Sequence, residues 1–251
     1  MTSKAKDKRD LNSEHKNSEN RSYAYNFDYM MHEWLLTRIR NYGFDGKALE
    51  LGCFEGEFTE KISNLFTEVY AVEGSSKLYE TLKTRFQSKA NIKIINSYFE
   101  DFIPKFVFDK IFLLHTLEHI DDPITLLSTA RNWLSEEGLL VVMVPNGNAL
   151  SRQIAVKAGI ISHNTAVTKG EYEHGHRRTY TIDVLSHQIK NAGYSIVETG
   201  GIFLKGLANF QLDKALMHNI IDKNYIEGCL ELGKLYPDFC SSIFVVAKRD
   251  V

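Results

Sequence analysis

The chain has 251 residues, 30 Lys and Arg against 32 Asp and Glu for a net charge of −2, and 43% of it is apolar. That supports one good core, with or without a small cap. The near-neutral charge argues against broad nucleic-acid binding, and no apolar run reaches the 18 residues of a membrane helix. A polar start with no apolar signal region, and three widely spaced cysteines (Cys53, Cys229, Cys240), point to a cytoplasmic protein with reduced thiols.

Residues 1–22 carry Lys, Asp, Glu, Asn and Ser with a single leucine and are expected to be a disordered tail, leaving residues 23–251 as one domain. Residues 23–42 then hold aromatic and aliphatic side chains at helical spacing, a helix that packs on a sheet and brings Tyr23 or Tyr25 towards a ligand pocket. The stretch 48–59, ALELGCFEGEFT, reads as a buried strand, a glycine turn and the start of a helix. Gly52 and Gly56 let the backbone turn tightly, and the amides of the helix start face a ligand. The next strand, 68–72, ends at Glu73 and Gly74, where a carboxylate is placed to accept hydrogen bonds from ribose hydroxyls. Neither GxGxxG nor GxxxxGK[ST] is present, which points to a nucleoside rather than a dinucleotide or triphosphate.

A helix over 76–86 and a third strand over 92–95 follow, and Phe99 beside Glu100 suits a purine, the ring stacking and the acid taking the exocyclic amine. The fourth strand, 108–114, begins with Asp109 near its base and delivers His115-Thr116-Leu117-Glu118-His119. A helix over 124–134 and a fifth strand over 138–144 complete an alternation that predicts a parallel sheet with its site at the strands' C-terminal edge.

Taken together, ELGCFEG, AVEGS, the aspartate-led strand into HTLEHIDDP, and WLSEEGLLVVMVPN resemble the ordered motifs of class I S-adenosylmethionine-dependent methyltransferases. The likeness is closest to the small-molecule group related to ubiquinone-biosynthesis O-methyltransferases. It implies a Rossmann-like α/β fold, a seven-stranded sheet with helices on both faces, in which the last hairpin places one antiparallel strand. It also implies S-adenosylmethionine as cofactor and S-adenosylhomocysteine as product. Carried across, Glu50, Gly52 and Gly56 line the methionine part, Glu73 holds the ribose, Phe99 and Glu100 flank the adenine, and His115 meets the cofactor at the fourth strand, with Cys53 and Gly74 also expected at the cofactor. The family usually has glycine where Phe54 stands. Glu118 and His119 lie in a stretch whose role in the family is mainly structural, His119 supporting the site from behind.

Specificity is expected in the second half, with residues 148–180 as cap and substrate loop. The loop contains His174, Gly175, His176, Arg177 and Arg178. His176, then His174, is the expected proton acceptor, because an imidazole titrates near neutrality. Arg177 and Arg178 suit a phosphate or carboxylate on the substrate. No metal site is expected, since no adjacent Cys, Asp or Glu cluster completes the histidine pair. A strand over 194–199, a loop over 200–211 offering Lys205 and Asn209 for polar recognition, helices around 215–221 and 225–235, and a last strand over 242–248 finish the chain. The HGHRRTY and FLKGLANFQ loops look similar to those of bacterial methyltransferases of surface-polysaccharide gene sets, where the methyl goes to a sugar or to a phosphate-derived group such as an O-methyl phosphoramidate.

The expected function is therefore methyl transfer to a small molecule. O-methylation of a phosphorylated or nucleotide-linked precursor comes first, N-methylation of an amine or amino sugar second, and a cofactor-binding protein without turnover third. No nucleic acid or membrane partner is expected, and the acceptor and the oligomeric state stay open.

Overall fold

Strands β1 (Lys47–Leu51), β2 (Glu68–Glu73), β3 (Ile92–Asn96), β4 (Phe108–Leu114) and β5 (Leu134–Pro145) form from short runs rich in branched and aromatic residues, buried on both faces in the central β1, β4 and the second half of β5 and partly exposed in the edge strand β3. Their alternation is visible in the packing. Ile111 and Leu113 of β4 face one core while Phe112 and Leu114 face the other, and Leu140, Val142 and Val144 of β5 alternate likewise with Val141 and Met143. With β6 (Tyr194–Ile202) and β7 (Ser242–Arg249) they make one seven-stranded sheet in the order β3-β2-β1-β4-β5-β7-β6. The first five strands run parallel, and β7 lies antiparallel between β5 and β6. This computed structural model describes residues 10–12 and 25–250, with side chains from residue 30 onward in the second stretch.

Helices cover both faces. Helix α1 (Tyr25–Ile39), α2 (Glu57–Ser63), α8 (Asn209–Met217) and α9 (Lys223–Leu235) pack Leu35, Ile62, Leu212 and Leu230 into the core that contains Phe112 and Phe244. Helix α3 (Ser76–Arg85) packs Leu82 against Ala71 of β2. The opposite core is closed by α4 (Pro123–Arg131) and α7 (Ile182–Asn191), through Leu127, Leu185 and Ile189. Between β5 and α7 lie α5 (Leu150–Lys157) and the short α6 (Lys169–Glu173). Asp109 ties the lower ends of three strands: its carboxylate accepts from Lys47 N at 2.8 Å and from Ser135 Oγ at 3.1 Å.

Some boundaries differ from the sequence expectation. The fourth helix stops at Arg131, and Leu134 already pairs with Phe108, so β5 starts four residues before Gly138. Gly200–Ile202, expected in a loop, extend β6 along β7. Helix α8 begins at Asn209, before the expected 215, because the Gln211 side chain accepts from Ala208 N at 3.0 Å and caps the first turn. Of the expected disordered tail, residues 10–12 are described, and they are docked: Asn12 Oδ1 accepts from Ser75 Oγ at 2.8 Å and from Lys77 N at 3.2 Å, at the start of α3. The rest of that tail lies outside the described residues.

Candidate active site

The strand order reverses direction between β1 and β4, and a cavity of about 860 Å³ opens there at the C-terminal ends of the parallel strands. Its floor is the turn after β1. Gly52 has φ +81°, and a Cβ there would lie 2.7 Å from Thr116 Oγ1, so the position demands glycine. Gly56 has φ +82° but lies against Phe86 and Leu82 of the α3 region rather than on the cavity. Phe54, where glycine is usual, takes φ +48° and so holds the left-handed conformation with a side chain present. Its N–H donates to Glu73 Oε2 at 3.1 Å, while Ser75 N donates to Glu73 Oε1 at 2.8 Å.

Two carboxylates therefore face the cavity from adjacent strand ends. Glu50, 3% exposed, accepts from Thr59 Oγ1 at 2.6 Å, and burial pushes its carboxyl up to about 8. Burial also raises Glu73, against the pull of its backbone donors. Cys53, Gly74, Phe99, Glu100 and His115, expected at the cofactor, all line the same cavity. Leu11 closes it from above: a Cβ on Gly74 would meet the Leu11 side chain at 2.4 Å.

On the far side, the turn Leu117–His119 after β4 meets the loop after α6. Arg177 N donates to Glu118 O at 2.8 Å, and the rings of His119 and His176 stand edge to face with centroids 4.6 Å apart. His174 and His176 both line the cavity, as does His119, expected behind it. Burial lowers His115 to about 3 and His176 to about 4, and raises Glu118 to about 8. Lys205, 4% exposed, reaches the cavity beside Asn209, its ammonium donating to Leu207 O at 3.0 Å and to Asn209 Oδ1.

The structure does not bring Arg177 and Arg178 into the cavity. Arg177 Nε donates to Asp121 Oδ1 at 3.1 Å, and Arg178 Nη2 donates to the carbonyls of Ile120 and Asp121 at 2.9 Å. Both guanidinium groups fasten the loop after α6 to the turn after β4. The Tyr25 side chain lies outside the described residues. Sequence reasoning missed His32, on the covering helix, and Arg152. His32 packs edge to face on Phe58 at 5.3 Å and lines the cavity. Arg152 Nε donates to Asn164 O at 2.7 Å and its guanidinium pairs with Glu171 at 2.5 Å, wrapping the segment that carries α5 and α6 around one side chain. The one signal for His32 was a polar residue amid the apolar spacing of 30–39.

The cavity fits a nucleoside carrying a cationic amino-acid tail. The glycine floor admits close approach, and the lone pairs that Glu73 keeps after two backbone bonds are free for hydroxyls. Glu50, buried with no positive partner among the described residues, suits an ammonium or sulfonium.

A family profile described as a methyltransferase domain matches residues 12–199. The chain belongs to that family. Solved structures agree in fold. An S-adenosylmethionine-dependent methyltransferase from Clostridium acetobutylicum is 13% identical with TM-score 0.57, covering 93% of this chain and 94% of its own. The N-methyltransferase NodS of Bradyrhizobium japonicum, solved with S-adenosyl-L-homocysteine, is 12% identical with TM-score 0.58, covering 95% and 98%. The plantazolicin methyltransferase BpumL, solved with SAH, is 15% identical with TM-score 0.59, covering 95% and 89%. No curated protein matches the sequence. Family and fold make this chain a class I methyltransferase with S-adenosylmethionine as cofactor, an enzyme rather than a binding module.

Proposed function

We propose that the enzyme methylates an oxygen of a small, phosphorylated or nucleotide-linked precursor in surface-polysaccharide assembly, in the cytoplasm. The observation that carries this reading is the single cavity that joins the acidic cofactor end, Glu50 and Glu73, to a second end with the buried Lys205 and the loop histidines. At about 860 Å³ it stands in the upper range for small-molecule sites, with room for a cofactor and a modest acceptor.

Glu50, Gly52, Cys53, Glu73, Gly74, Phe99, Glu100 and His115 would hold S-adenosylmethionine. When bound, it supplies a methyl carbon already activated by its sulfonium. What remains for the protein is to orient the acceptor and exclude water. Lys205, held by Asn209, offers a fixed cation for an acceptor phosphate, the role expected of Arg177 and Arg178. His174 takes the acceptor's proton. His176, expected first for that role, packs edge to face on His119. All three cysteines are free and buried, which accords with a reducing compartment.

N-methylation is the second reading, favoured by the buried Glu118 carboxylate beside the acceptor end, a partner for an amine. Calorimetric titration with S-adenosylhomocysteine tests the cofactor end. Wild type should bind, and Glu73→Ala should lose more than about tenfold in affinity, because a charged acceptor of two hydroxyl bonds is gone. An acceptor screen against sugar phosphates and amino sugars, with His174→Ala and Lys205→Met alongside, tests the other end. Turnover that prefers uncharged amines and ignores Lys205 would overturn the phosphorylated acceptor.

A further inference from the structure

Glu118 presents a problem that the methyl-transfer reading leaves unsolved. Its side chain is 1% exposed, yet neither carboxylate oxygen has a hydrogen-bond partner among the described residues. Leaving a buried acid without a donor costs several kcal/mol in general, so such groups are paired, protonated or bound to a cation. Its neighbours are histidines: His115 Nδ1 at 3.7 Å and His119 Nε2 at 4.0 Å from Oε1. His176 completes the group from the loop after α6, and its Nδ1 is likewise buried with no partner.

We propose that Glu118, His119 and His176 bind a divalent transition-metal ion at the acceptor end of the cavity. One ligand atom from each lies within 4.8 Å of the others. Ligands about 2.0–2.1 Å from a tetrahedral zinc lie roughly 3.3 Å apart, so the three must close in by about an ångström. Rotation of the His119 and His176 side chains about their own bonds would bring the ligand atoms together while the loop stays in place. Two imidazoles and one carboxylate form a nitrogen-and-oxygen set that suits zinc, iron or cobalt rather than calcium or magnesium. Three protein ligands leave at least one position open, and all three residues line the cavity, so that position faces the acceptor. An acceptor hydroxyl or phosphate oxygen would occupy it, and the ion would acidify a bound hydroxyl as it does bound water. The second histidine of the loop, His174, is then left to receive the proton. This role at the acceptor rests on the methyl-transfer reading, whereas the binding of the ion does not.

The Arg177 and Arg178 contacts acquire a purpose in this arrangement. By fastening the loop to Ile120, Asp121 and the Glu118 carbonyl, they hold the third ligand beside the first two.

Tag-free full-length protein dialysed against Zn²⁺, then freed of excess ion, should retain about one metal per chain by elemental mass spectrometry. Co²⁺-loaded protein should show visible absorption bands. Glu118→Gln and His176→Gln should each weaken Zn²⁺ binding by more than about tenfold. His187→Gln, on the exposed face of α7, should leave it unchanged. No retained metal, or equal retention in both ligand variants, overturns the site. Circular dichroism checks folding, and His176→Gln decides the matter should Glu118→Gln not fold. S-adenosylhomocysteine titration of the same samples separates the two readings. Cofactor binding without metal sinks the metal site alone, and metal binding without cofactor binding sinks the methyl-transfer reading alone.

Discussion

Glu50 shows at the level of one residue how the cavity is prepared for a cation. Its carboxyl, near 4.5 in an unfolded chain, is pushed up to about 8 by burial. A raised acid means that the folded chain holds a proton the unfolded chain has released. The cost is absent below about pH 4.5, grows as pH rises towards 8, and is then constant. We expect the melting temperature of the ligand-free protein to fall from pH 5 to pH 8, with a smaller fall in Glu50→Gln; a few kcal/mol are at stake. Cofactor binding at pH 7 should release a proton as an ammonium or sulfonium approaches. Calorimetry in buffers of different ionisation enthalpy measures that release, and Glu50→Gln should abolish it. Gly52→Ala belongs to the same scale: φ +81° and the 2.7 Å approach to Thr116 Oγ1 predict a loss of about 1–3 kcal/mol in stability. Glu73 and Gly52 were legible in the sequence because strand ends and turn glycines announce themselves locally. The pairing of Glu118 and His119 with His176 was not, since two distant loops meet only once the sheet has formed.

Among the elements, the segment that carries α5 and α6 is the least conventional piece, and Arg152 is its centre. Its guanidinium reaches Asn164, Ala166 and Glu171, so three separate points of the stretch are gathered around one cation. Arg152→Ala should leave the melting temperature within a few degrees while making residues 158–168 more readily cleaved by protease, read by mass spectrometry. Acceptor KM should rise more than kcat falls, because Arg152 and Glu171 line the cavity. The sequence pointed to a cap and substrate loop over 148–180. It did not reveal the arginine hub, because partners 12 to 19 residues away follow no helical or strand period. The strands were the most legible elements, the central ones being largely apolar runs buried on both faces. Boundaries shifted where a glycine pair, Gly200 and Gly201, looked like a loop but paired with β7.

Across the molecule, the sheet carries the stability and the edge loops carry the chemistry. Tyr194 illustrates the first: its hydroxyl donates to Leu127 O at 2.8 Å and joins β6 to α4. Tyr194→Phe should cost about 1 kcal/mol in denaturant unfolding, with no change in cofactor affinity. The fold as a whole followed from strand–helix alternation, which permits few arrangements.

The short docked segment at residues 10–12 bears on timing. Leu11 covers the Glu73 and Gly74 end of the cavity, and Asn12 is hydrogen-bonded to the start of α3. Segments with so few contacts detach at a small fraction of the global unfolding free energy. We expect egress of the spent cofactor through that side to follow a local peeling of this segment rather than any motion of the sheet. Removal of residues 1–12 should raise the S-adenosylhomocysteine dissociation rate several-fold in stopped-flow displacement, with the melting temperature unchanged. Should product departure limit the cycle, the shortened enzyme would turn over faster while binding more weakly.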